Sequence, residues 1–122
     1  MSYDEIIERV QERAGIEDRS AAEVTTIAVL QELCDRLDGK EANDLLAQLP
    51  GKLQHAVVVS PSPLPISGGE FVANVARELE IPEDEARRRI RAVFSTLREA
   101  VSRGEFQDVL EELDPEYADF LA

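Results

Sequence analysis

The stretch Asp44–Pro50, DLLAQLP, reads as the last turns of a helix stopped by a proline, and Asp108–Pro115, DVLEELDP, repeats it sixty-four residues later. Pro50 lacks the N–H that would continue the helix and disfavours helical backbone at Leu49. In the second copy Asp114 is placed to cap a new helix whose first residue is Pro115. The apolar positions match as well: Ala42, Leu45, Leu46 and Leu49 in the first stretch fall in register with Phe106, Val109, Leu110 and Leu113 in the second. A helix ending written twice implies a fold unit written twice.

Working outward, SYDEIIERVQERAGI opens with Ser2 and Glu5 in the spacing of a capping box, and SGGEFVANVARELEI opens with Ser67 and Glu70 in the same spacing. Ile6, Ile7, Val10 and Ala14 fall on one helical face, as do Phe71, Val72, Val75 and Leu79. The next segment, DRSAAEVTTIAVLQELCDRLDG, carries a possible box at Ser20 and Glu23. Its apolar residues keep helical spacing from Ala22 to Leu37, and Gly39 is placed to stop it. Its partner, PEDEARRRIRAVFSTLREAVSRG, holds Ala86, Ile90, Val93, Phe94, Leu97 and Val101 in the same pattern, with Pro82 suited to the first turn. The pattern predicts an all-α helical bundle of two pseudo-symmetric repeats, each of three helices plus a short fourth. The long helices, about 20–38 and 83–102, are expected at the centre. One unit is too small to bury its own apolar face, so the two are expected to share one core in a single domain over 1–122. Repeat 1 spans about 2–57, a linker about 58–67, and repeat 2 about 68–122. The linker region VVVSPSPLPISGG has prolines at 61, 63 and 65, which forbid a helix and favour an extended path.

This succession resembles the prokaryotic family known as domain of unknown function 2267. The resemblance is carried by YDEIIERVQERAGI, AVLQELCDRLDGKEANDLLAQLP, EFVANVARELEI, AVFSTLREAVSRGEFQDV and PEYADF, in that order, over nearly the whole chain. It implies an all-helical fold with a duplicated unit, and no activity, substrate or catalytic residue to carry over. ELDP in the second copy departs from the QLP ending that the family suggests, which changes only how the last helix is capped.

The charge is lopsided, with 26 acidic against 13 basic side chains and a net of −13. The basic residues are Arg apart from Lys40 and Lys52. Such a surface repels nucleic acid and anionic membranes at long range, and its low Lys content points to a high-salt, halophilic cytoplasm. The acidic N-terminus lacks the features of a signal peptide, and the longest apolar run, AVVV, is far short of a membrane span, so a cytoplasmic location is expected.

No catalytic, cofactor-binding or metal-binding residue is expected. Nucleophilic catalysis by a Ser–His or Cys–His pair would have to use His55, the one histidine, in a polar segment where a surface position is expected. Cys34 corresponds to Arg98 in the other copy, a position read as off the core face, and is expected to be a partly buried, unreactive thiol. Metal-binding spacings such as H-x-x-x-H or C-x-x-C are absent, and SGGEF is a capped helix start rather than a phosphate cradle. In EDEARRRIR, Glu83, Asp84 and Glu85 precede Arg87, Arg88 and Arg89 by four residues. Three local pairs are expected, leaving Arg91 as the surplus charge.

The reading that remains is a non-catalytic module for protein interaction or self-association, with no cofactor. Its partner would be a second copy or another protein. The alternative is small-molecule or nucleic-acid binding in the cleft between repeats or on the Arg-rich helix. The expected contact surface is the linker, Val57, Val58, Val59, Leu64 and Ile66, together with Arg91, because an apolar residue on a connector must either pack down or meet a partner.

Overall fold

A computed structural model describes residues 1–121 and consists, over them, of eight helical segments with no strand. They are α1 (Tyr3–Ala14), α2 (Arg19–Cys34), α3 (Gly39–Ala47), α4 (Gly51–Ala56), α5 (Gly68–Leu79), α6 (Glu83–Ala100), α7 (Arg103–Glu111) and a terminal 3₁₀ segment, η1 (Pro115–Leu121). Ala122, the last residue assigned above to the second repeat, lies outside the described residues.

Local chemistry sets most of the boundaries. Ser2 and Glu5 form the full capping box of α1: Ser2 Oγ accepts from Glu5 N, and Glu5 Oε1 accepts from Ser2 N, both at 3.1 Å. At α5, Ser67 Oγ accepts from Glu70 N, but Glu70 reaches the Ser67 hydroxyl rather than its N–H. α1 ends on Gly15 in the left-handed region, at φ 68°. The equivalent end of α5 uses Glu80 at φ 55°, where a side chain is strained.

Two boundaries differ from the sequence reading. The cap of α2 is Asp18, whose carboxylate accepts from Ser20 N, so the Ser20–Glu23 box is not formed. Glu23 instead takes the hydroxyl hydrogen of Tyr3. α2 ends at Cys34 rather than near Asp38, because Arg36 N and Leu37 N bond to carbonyls three residues back and tighten the chain out of the helix. Gly39 then begins α3 under an Asp38 cap.

α6 is the hub, packing against α1, α2, α5, α7 and η1, and α1 makes its broadest contact with α6. α2 packs against α1, α5 and α6, while α3 packs across α7. The core is mainly aliphatic, with Ile6, Ile7, Leu30, Leu33, Leu45 and Leu53 fully or almost fully buried. Aromatic rings concentrate at one end. Phe71, Phe94, Tyr117 and Phe120 meet mostly edge-to-face, with centroids 5.3–6.1 Å apart. This ring cluster seats η1, and Gly68 makes room for it: a Cβ there would lie 3.0 Å from Glu116 Cβ.

Candidate interaction surfaces

Most apolar side chains in the connector between α4 and α5 turn inward. Val57 is buried, and Val59 and Ile66 pack on the core as partly buried residues. Val58 and Leu64 point out, 75% and 69% exposed. The segment is tied down by polar bonds at each end. Gln31 acts as a two-point clamp, donating Nε2 to Val58 O and accepting from Val58 N, both at 2.9 Å. Leu64 N donates to Asp35 O, and Arg36 Nη1 donates to Leu64 O at 2.7 Å. Tyr117 Oη donates to Ile66 O at 2.9 Å. The connector is therefore a strap laid along α2.

The strap completes a strip the sequence reading did not foresee. Residues 24–31 of α2, VTTIAVLQ, carry no charge. Thr25, Thr26, Val29 and Leu30 face the core, Val24 faces outward, and the half-buried Ile27 and Ala28 line a shallow groove with Gln31 and Glu78, Ile27 also packing on the core. Val24 is 58% exposed. Gln31 holds Val58 and Asp35 holds Leu64, so the exposed Val58 and Leu64 are tethered to α2 and to the turn that follows it. α2 thus has an inner apolar face that builds the core and an uncharged outer side bordered by Glu78 of α5.

Arg91 lies on the other long helix, exposed beside Arg13, Arg88 and Arg98 in a groove of about 450 Å³. Of the three expected acid–arginine pairs, Glu85–Arg89 is formed and the other two are not found among the described residues. Among the described residues Glu85 alone serves as partner, to Arg88 and, at 3.0 Å, to Arg89. Asp84 is diverted to accept from Glu85 N, and Arg89 also donates to Thr25 Oγ1 of α2 at 2.8 Å. Arg87 as well as Arg91 is without an ion-pair partner among the described residues.

Where α3 crosses α7, two carboxyl groups meet. Glu41 and Glu105 each stand at the third position of their helix, where a capping-box Glu would reach back to the cap N–H. Here the opposite helix fills that role. Glu112 Oε1 accepts from Asp38 N at 3.0 Å, and Gln48 Oε1 accepts from Ser102 N at 2.7 Å. Released from the caps, Glu41 and Glu105 are neighbours, and burial together with the Glu105 carboxyl pushes Glu41 up to about 7. Glu41 Oε1 and Glu105 Oε2 are buried without a partner among the described residues, and Glu105 is only 9% exposed. A proton on Glu41 relieves the cost of holding its charge beside a second carboxyl.

The remaining chemistry-bearing residues stand apart. His55 is exposed on α4. Cys34 is fully buried in the core rather than off its face, and burial raises its thiol to about 12, so it is an unreactive packing residue. Within the groove of about 330 Å³ between α2 and α5, Asn74 donates to Glu32 and Arg77 donates to Asn74, so its polar groups satisfy one another. Among the described residues no group of three or more His, Cys, Asp or Glu is placed to hold a metal ion, and no helix is long and apolar enough to cross a membrane.

The family described as uncharacterized conserved protein (DUF2267) matches residues 3–120. No curated protein matches the chain.

Proposed function

The chain belongs to the DUF2267 family, and from its surfaces we propose that it is a non-catalytic self-association module whose contact face is the outer side of α2 with the strap. The observation that carries this reading is the exposure of Val24, Val58 and Leu64, with half-buried Ile27 and Ala28 beside Val24, on a chain of net charge −13. Covering such groups is favourable by about 25 cal/mol per Å² of apolar surface. A second copy is the natural occupant. Two-fold pairing brings the same patch of each chain together, and the uncharged run 24–31 lowers the acidic repulsion there, with Glu78 at its edge. In the high-salt cytoplasm the composition suggests, a Debye length of about 3–4 Å would leave the repulsion between the rest of the two surfaces largely screened.

The proposal includes the duplicated architecture. The two copies form one domain around a pseudo-two-fold relation, with α1–α4 equated to α5–η1. Supporting it are α1 and α5 of 12 residues each, α3 and α7 of 9 each, and the reciprocal bonds Ser102 N to Gln48 and Asp38 N to Glu112, in which Gln48 and Glu112, like Asp38 and Ser102, stand sixty-four apart in sequence. In that register Val24 and Ile27 of α2 correspond to Arg88 and Arg91 of α6, so the copies have diverged where each long helix faces outward. One face became apolar and the other basic.

The test is an amide-shift titration by NMR on dilution in 1 M KCl. Self-association through α2 predicts concentration-dependent shifts centred on residues 24, 27, 28, 31 and 58. Shifts centred elsewhere, or none up to about 0.5 mM, a weak-dimer range, would overturn it.

A further inference from the structure

Arg13, Arg88, Arg91 and Arg98 line the groove formed by α6, the end of α1 and η1. The groove continues past Arg98 and Leu121 into a second hollow of about 540 Å³, bounded by Arg103 and floored by Phe106 and Leu110. Five of the protein's arginines thus converge on one side of a chain that has twice as many acids as bases. Among the described residues Glu99 is the one carboxylate lining either hollow, and Arg13 occupies it at 2.5 Å while also donating to Ser95 and Thr96. Arg91, Arg98 and Arg103 make no ion pair among the described residues. Positions 88, 91, 95 and 98 repeat at intervals of three, four and three, which places them along one face of α6 over about 15 Å, nearly three helical turns. Beneath the guanidinium groups the floor is apolar: Ala92, Phe120 and Leu121, then Phe106 and Leu110.

We propose that this groove docks an acidic amphipathic helix of a partner protein. Its Asp and Glu side chains meet Arg91, Arg98 and Arg103, and its apolar side chains seat on the floor around Leu121 and Leu110. Guanidinium groups bind carboxylates through paired N–H donors, and unpaired arginines within an otherwise acidic surface select a short acidic segment by local charge complementarity. A shallow trough three turns long with an apolar floor suits a helix laid lengthwise. Nucleic acid fits less well. Every Phe and Tyr117 is buried, so none of these rings offers a stacking platform, and a net charge of −13 repels a polyanion beyond the groove. The same repulsion disfavours an anionic membrane. The apolar floor keeps part of the affinity at high salt, where the charge contribution is screened. The site is separate from the α2 strip and does not depend on self-association.

The probe is a fluorescein-labelled 15-residue helical peptide with Glu on one face and Leu on the other, titrated with the full chain and followed by anisotropy. Controls are the same peptide with Lys in place of Glu, a 15-nucleotide oligo-dT and phosphatidylserine vesicles. Variants are R91E/R98E and, outside the groove, R87E. Saturable binding of the acidic peptide is expected, weakened about tenfold or more by R91E/R98E, little changed by R87E, and not shared by the Lys peptide. Melting temperatures of both variants should stay close to wild type, because the substituted side chains are exposed. Equal loss in R87E, indifference to R91E/R98E, tighter binding of oligo-dT or vesicles, or no binding of the acidic peptide at about 1 mM would each overturn the proposal. Sedimentation of R91E/R98E, expected to match wild type in mass, separates this site from the α2 contact.

Discussion

Replacing Glu41 with Gln should make the protein more stable at neutral and alkaline pH and flatten its pH dependence. Glu41 is held at about 7, against 4.5 for an ordinary Glu, by burial and by the Glu105 carboxyl, with Asp108 and Asp44 adding to the negative field. A carboxyl raised in the folded state binds its proton more tightly there than in the unfolded chain. Its contribution is therefore complete below about 4.5 and is lost as pH rises through about 7. At about 1.4 kcal/mol per pH unit the ceiling is ~3 kcal/mol. Glu41 is only partly sequestered, so solvent screening brings the expected loss to on the order of 1 kcal/mol. For a chain of this length that is about 3–5 °C in melting temperature. Gln keeps the shape and can donate to Glu105 without being ionised. The assay is thermal unfolding of wild type and E41Q at pH 5 and pH 8 in 1 M KCl, each variant compared with wild type so that the general relief of acidic repulsion at low pH cancels. The expected result is near-equality at pH 5 and a gain of a few degrees for E41Q at pH 8. A variant less stable than wild type at pH 8, or the same offset at both pH values, would refute this account of Glu41.

Other consequences can be measured on the same footing. Glu80→Gly should stabilise by about 0.5–1 kcal/mol, because Glu80 holds a left-handed φ of 55° at the end of α5, and calorimetry showing no gain would mean that position is unstrained. The strap should divide cleanly: V58S/L64S should leave the melting temperature within a degree or two of wild type. Tyr117→Phe, which orphans the Ile66 carbonyl, should cost about 1 kcal/mol by urea titration, and the reverse order would contradict the strap geometry. Melting temperature should rise markedly between about 0.1 and 1 M KCl as the Debye length falls from roughly 10 to 3 Å, and a flat response would contradict the high-salt reading of the composition.

The helices were legible because their apolar residues recur at helical spacing and because Ser2, Ser67, Asp114 and the prolines carry local capping chemistry. The end of α2 was not, since Leu37 continues the apolar register and the i−3 bonds that end the helix leave no mark in residue type. Cys34 was misplaced for a related reason: its counterpart Arg98 is exposed, and equating positions in two copies assumes that both faces are used alike. Val58 and Leu64 could be named as connector residues, but whether a strap side chain packs or projects depends on which backbone groups Gln31, Arg36 and Tyr117 capture. The outer strip of α2 did have a signal, the uncharged run 24–31 in so acidic a chain, and it was read only as core. The meeting of Glu41 and Glu105 was foreshadowed by D-x-x-E at 38–41 and S-x-x-E at 102–105. Such spacing ordinarily means a helix cap, and only the crossing of α3 and α7 reveals that Gln48 and Glu112 have taken over the capping.

Self-association through α2 is tested most directly by sedimentation equilibrium of wild type and V24D/V58D in 1 M KCl. The expected result is a wild-type protein that approaches dimer mass with rising concentration and a variant that stays monomeric with an unchanged melting temperature, since both substituted side chains are exposed. A wild-type protein that remains monomeric throughout, or a variant that dimerises as well as wild type, would contradict it.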